Sequence, residues 1–77
     1  DGNHQEQPTL DYFEECLQYV NDQSIFIFDD IHWSEGMTAA WNKIKGHPKT
    51  VVTLDLFFLG IVFFDSRLTK QDFLIRF

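Results

Sequence analysis

The residues best suited to chemistry fall in two short stretches. Asp29 and Asp30 stand side by side directly after the apolar run Ser24-Ile25-Phe26-Ile27-Phe28, and Ile31, His32 and Trp33 follow. Neighbouring carboxylates are costly to desolvate unless a cation, a hydrogen-bond donor or water meets them. His32 and Trp33 add an imidazole and a flat indole that could line a pocket for a small molecule. A tryptophan so placed serves equally well in helix packing. The second stretch is Asp1-Gly2-Asn3-His4. A histidine titrates near neutrality and could take the proton of a substrate hydroxyl, or simply bond to loop backbone. Elsewhere, Cys16 suits a small apolar filler on a helix, and His47, before Pro48, suits the surface. Asp55 suits a hydrogen bond near a strand end, and Tyr12, Phe13 and Trp41 suit the core.

The elements that must hold these groups follow from periodicity. An apolar run without alternation predicts a strand over 24–30 buried on both faces, an inner member of a parallel sheet covered by helices. Ligands in such sheets sit beyond the carboxyl ends of the strands, which is where Asp29 and Asp30 fall. Residues 1–7 are polar and read as a loop, and Pro8 suits the first turn of a helix. Leu10, Phe13, Leu17 and Val20, widened by Tyr12, Cys16 and Tyr19, form the apolar face of that helix, which ends at Asn21-Asp22-Gln23. Glu6, Asp11, Glu14 and Glu15 form its solvated side.

A second helix starts at the N-cap Ser34 with Glu35 in its first turn, and Met37, Ala40, Trp41 and Ile44 make its stripe. Lys43 and Lys45 sit near its end, Gly46 can adopt a left-handed cap, and Pro48 prevents continuation. From Thr50 the period drops to two: Val51, Thr53 and Asp55 alternate with Val52, Leu54 and Leu56. Gly60 breaks the run, 61–64 make another strand, 65–70 turn, and 73–77 make the last strand. The expected class is α/β, with a parallel strand flanked by helices and antiparallel strands closing the edge.

With 77 residues the chain is at most one domain, and 44% apolar content with nine Phe is too greasy for disorder. The net charge of −6 argues against a nucleic-acid backbone or an anionic membrane as partner. The longest apolar run, 56–64, is far short of the roughly 20 residues a membrane helix needs. A lone cysteine permits no internal disulfide, which fits a reducing, cytoplasmic setting. The chain has no initiator methionine, and 77 residues supply few strands for a buried parallel sheet. Residues 1–77 are therefore expected to be the C-terminal fragment of a single larger domain.

In order and spacing these segments resemble the C-terminal part of a class I S-adenosylmethionine-dependent methyltransferase, of the O-methyltransferase-like kind whose fourth strand ends in Asp-Gly-x-His. Asp1-Gly2-Asn3-His4 resembles that element, and Tyr12-Phe13 with Leu17 resembles the helix after it. Residues 25–33 resemble the fifth strand with its acidic end. Thr53-Leu54-Asp55-Leu56 with Gly60-Ile61-Val62-Phe63-Phe64 resembles the closing hairpin. The resemblance covers nearly the whole chain and implies a Rossmann-like fold. It implies methyl transfer from S-adenosylmethionine to an oxygen of a small-molecule acceptor in the intact protein, with no activity in the fragment alone. It further implies Asp1, Asp29 and Asp30 as ligands of a divalent cation such as Mg²⁺, and His4 as catalytic base, with His32 and Trp33 lining the acceptor pocket. Oxygen ligands suit Mg²⁺, which favours a deprotonated hydroxyl. The Gly-rich turn that holds the cofactor in that family has no counterpart here, since the four glycines are scattered.

Two other readings stand beside it. Phe28-Asp29-Asp30-Ile31-His32-Trp33 also resembles the Walker B strand of regulatory P-loop ATPases, but no phosphate-binding loop is present. A non-enzymatic association module is the third, because unpaired strand edges and uncovered apolar faces invite self-association.

Overall fold

The computed structural model describes residues 3–76, with side chains from Glu6 onward. In chain order the elements are helix α1 (Asn3–Cys16), a 3-10 turn (Leu17–Tyr19), strand β1 (Ile25–Asp29), helix α2 (Glu35–Lys45) and strands β2 (Val52–Asp55), β3 (Leu59–Phe63) and β4 (Gln71–Leu74). The four strands make one mixed sheet in the order β1-β3-β2-β4. Strand β3 is antiparallel to both neighbours, and β4 runs parallel to β2. The chain is thus a small α/β unit with an antiparallel β2–β3 hairpin. Among the described residues no helix is long and apolar enough to cross a membrane.

The strand over 24–30 departs from expectation. Among the described residues, strand β1 lies at the rim of the sheet and pairs only with β3, antiparallel, with Ile27 opposite Ile61. It is not an inner parallel strand. Its side chains alternate: Phe26 and Phe28 turn toward the helices, while Ile25 and Ile27 remain exposed. An unbroken apolar run shows that both faces of a strand are greasy, but not which strands flank it.

Both helices pack on one face of the sheet. Phe13 of α1, Leu17 of the 3-10 turn, Trp41 and Ile44 of α2, and Val62 of β3 form a buried cluster with Ile31 and Phe64, and Phe26 and Phe28 pack against it. Phe13 sits edge-on to Phe26 at 6.0 Å between centroids. Tyr12, one residue away, is exposed and outside this core. The reason is the helical period: Phe13 and Leu17 already fill the inward stripe.

Four local expectations are corrected. Helix α1 begins at Asn3, so Pro8 lies inside it. The ring costs the bond to the carbonyl four residues back, near an end where few bonds are at stake. Gly46 closes α2 in a right-handed conformation, φ −85°. Lys70 donates to the Lys45 carbonyl at the end of α2 and to the Thr50 carbonyl, at 2.9 and 2.8 Å. Gly60 does not interrupt a strand but lies within β3, and the reversal comes earlier, at Phe57, with φ 73°. His47 is not simply a surface residue: its Nε2 meets Glu14 Oε1 at 2.8 Å, tying the end of α2 to α1. The Ser34 cap is as expected, its hydroxyl accepting from the Met37 N–H at 3.2 Å.

Because both helices share one face, the other face of the sheet presents Ile25, Ile27, Leu54, Ile61 and Phe63, with Ile27 64% exposed. Contiguous apolar area of this kind drives association. Multi-angle light scattering is expected to show a concentration-dependent dimer or larger species, which Leu54→Lys with Ile61→Lys shifts toward monomer. A monomer at all concentrations would refute it.

Candidate functional site

Strands β1 and β2 run in the same direction because each is antiparallel to the β3 between them, and β4 follows β2. Three carboxyl ends therefore open on one side of the sheet. The segment after β1 is pinned there. Ile31 is buried as a plug, and the Thr38 hydroxyl donates to its carbonyl at 3.2 Å. The Asp30 N–H donates to the Phe58 carbonyl at 2.7 Å, and the Trp33 N–H to the Asp30 carbonyl at 2.9 Å. Asp30 takes φ 56°, a left-handed conformation that aspartate tolerates better than most residues.

At the end of β2, Asp55 is 5% exposed and anchors the site. Its Oδ2 lies 2.7 Å from His32 Nε2, and its Oδ1 accepts the Phe57 N–H at 2.9 Å. Arg76 Nη1, from beyond β4, stands 4.0 Å from Oδ1. The Phe57 ring stacks with His32 at 5.6 Å and 25° between planes, and the Arg76 guanidinium lies 5.3 Å from its centroid. One carboxylate thus holds an imidazole, a backbone turn and a guanidinium together. Burial alone would push the Asp55 carboxyl up. The Phe57 N–H, the His32 hydrogen bond and charge, and the Arg76 charge outweigh it and bring the group below its ordinary 3.8. A positive φ at a bulky residue such as Phe57 costs roughly 1–3 kcal/mol, and the Asp55 bond to its N–H offsets part of that. When neutral His32 donates Nε2–H to Asp55, Nδ1 is left as an acceptor.

The expected site residues divide. His32 and Trp33 together line a pocket of about 290 Å³ with Asp30, Phe57 and Phe58. Trp33 is 72% exposed, so it is not core. Asp29 and Asp30 part company: Asp30 lines this pocket, whereas Asp29 lines a trough with Pro8, Thr9, Tyr12 and Met37. Asp1 and the His4 side chain lie outside the described residues. Among the described residues no group of three or more His, Cys, Asp or Glu could hold a metal ion.

The chain matches no family model, no curated protein and no solved structure.

Asp55, Phe57 and Arg76 are site components whose role the spacing alone did not bring out. The one available signal was Asp55 itself, an acid in step with Thr53 on the side of β2 that turns inward. A buried carboxylate in such a place needs partners, and they come from loops 23 residues before it and 21 after.

Proposed function

We propose that residues 1–77 form the C-terminal part of a class I S-adenosylmethionine-dependent methyltransferase whose intact form transfers a methyl group to an acceptor oxygen. The observation that carries this reading is the His32–Asp55 pair in an aromatic pocket at the shared carboxyl ends of β1 and β2. Pockets outside those ends are where α/β sheets place their ligands. The β2–β3 hairpin paired onto β1 agrees with the closing hairpin that the family resemblance implies.

The described residues do not by themselves fit either implied cofactor. The aspartates of the expected cation site open on two different cavities, and the acceptor pocket is walled by Trp33, Phe57 and Phe58 with no glycine-rich cradle beside it. What these residues contribute is the acceptor end. Trp33, Phe57 and Phe58 exclude water from a small ligand, and His32, oriented by Asp55, offers it a hydrogen bond. His4 as proton acceptor belongs to the same proposal, whereas Asp29 and Asp30, opening on two different cavities, hold no shared cation in it.

In the intact protein, methyl transfer from S-adenosylmethionine in the presence of Mg²⁺ is the test. His32→Ala is expected to raise KM for the acceptor about tenfold with a smaller change in kcat, the signature of lost ground-state binding. An unchanged KM in His32→Ala, or ATP hydrolysis in place of methyl transfer, would sink the reading.

A further inference from the structure

We infer that the pocket beyond β1 and β2 takes the protonated primary or secondary amine of its ligand, which makes the methyl acceptor an alkylammonium compound; this rests on the pocket being the acceptor end. Its lining residues, Asp30, His32, Trp33, Phe57 and Phe58, supply three aromatic rings, one carboxylate and one imidazole, with no lysine or arginine among them. An aromatic face attracts a cation held within about 6 Å of its centroid, and an indole does so best. One ring of this wall already holds one: the Arg76 guanidinium lies 5.3 Å from the centre of Phe57. That guanidinium is committed to the protein, 4.0 Å from Asp55 Oδ1, and His32 stacks on the same ring at 5.6 Å. Trp33 and Phe58 are the rings left for a ligand.

The carboxylate beside them is fixed by backbone. The Asp30 N–H is tied to the Phe58 carbonyl at 2.7 Å and its carbonyl to the Trp33 N–H at 2.9 Å, which holds this left-handed residue at the pocket. Its charged neighbours in the chain, Asp29 and Glu35, are acids too. Such a field repels an anion, and a neutral ligand gains nothing from it. A metal ion is disfavoured by walls that supply almost no oxygen ligands, and among the described residues no three ligating groups gather. His32 then selects the kind of ammonium. With Nε2–H given to Asp55 Oδ2 at 2.7 Å, Nδ1 is the ring atom left to accept. A primary or secondary ammonium can donate to it while facing Asp30, whereas a quaternary ammonium has no N–H to give.

The test is titration of the 77-residue chain with benzylamine, benzyl alcohol and benzyltrimethylammonium, without S-adenosylmethionine, read by tryptophan fluorescence. Trp33 is the reporter, because Trp41 is 1% exposed and shielded from a ligand. Benzylamine is expected to bind about tenfold more tightly than the alcohol, and several-fold more tightly than the quaternary compound. Asp30→Asn keeps the side-chain shape and the tolerance for left-handed backbone. It is expected to weaken benzylamine about tenfold and leave the alcohol unchanged. His32→Ala, with the fold checked by circular dichroism, is expected to erase the preference for benzylamine over the quaternary compound. Equal affinity for amine and alcohol would overturn the proposal. So would an amine preference that survives Asp30→Asn, or a quaternary compound that binds as tightly as benzylamine. Because no cofactor is present, these outcomes are separate from methyl transfer. Absence of methyl transfer in the intact protein, with the amine preference intact, would strike that reading and leave the amine site standing.

Discussion

Gly60→Ala is expected to lower the stability of this chain by about 1–3 kcal/mol, the cost of forcing atoms into a packed core. A Cβ at Gly60 would sit 2.5, 2.6 and 2.9 Å from three carbons of the Trp41 ring. Trp41 is 1% exposed and cannot swing aside, being wedged among Phe28, Ile44 and Val62 in the main cluster. Trp41→Ala, which empties the same space from the other side, is expected to cost about 3–5 kcal/mol. Against a total of about 4–12 kcal/mol for a domain of this length, that leaves the chain barely folded. The decisive measurement is a double-mutant cycle in urea, followed by circular dichroism. Phenylalanine at position 41 withdraws part of the ring, and its loss of the indole N–H costs little, because that group finds no acceptor among the described residues. Gly60→Ala should therefore cost at least 1 kcal/mol less in the Trp41→Phe background than in the wild type. Equal costs would show that the close approach of β3 to α2 is not what position 60 requires.

Asp55→Ala should be the next most damaging change, at roughly 2–3 kcal/mol, since it strands the Phe57 N–H and the His32 ring in a site built around one carboxylate. The pH dependence has a definite sign. The folded-state pKa of Asp55 lies below its ordinary 3.8, so the native state binds this proton less readily than the unfolded chain does. Its contribution is fully present above about pH 4 and disappears as pH falls through the folded value. Asp65 is held at about 2 by its hydrogen bonds to Arg67 and titrates across the same acid range. The comparison therefore has to be made between wild type and Asp55→Asn. Below about pH 4.5 the difference in urea midpoint between the two should shrink as the pH falls. A difference that grew on acidification would mean that Asp55 is protonated in the native state.

The same pair of positions shows how far a linear reading reaches. The Ser34 cap, the Met37-Ala40-Trp41-Ile44 stripe and the alternation from Thr50 onward are local patterns. Local backbone chemistry decides them, and α2 and β2 stand where those patterns put them, whereas the last strand falls at Gln71–Leu74 and not at 73–77. The Asp-Asp-x-His-Trp segment was legible as a strand end for the same reason, and its His32 and Trp33 do share a pocket. Gly60, by contrast, looks like a strand breaker in sequence, because the chain does not show that an indole from α2 will need its missing side chain.

What the sequence determined by itself was therefore the existence and type of each element, the α/β class and the burial of Phe13 and Trp41. These follow from periodicities of 3.6 and 2 that each segment carries alone. Tertiary structure decided the rest. The sheet order put β1 at the rim with its outer backbone groups turned away from β3. The opening of Asp29 and Asp30 on different cavities, and the meeting of His32, Asp55, Phe57 and Arg76, came from which strands paired. Pairing depends on the combined burial of distant segments against one another, a quantity that no single stretch of the chain contains.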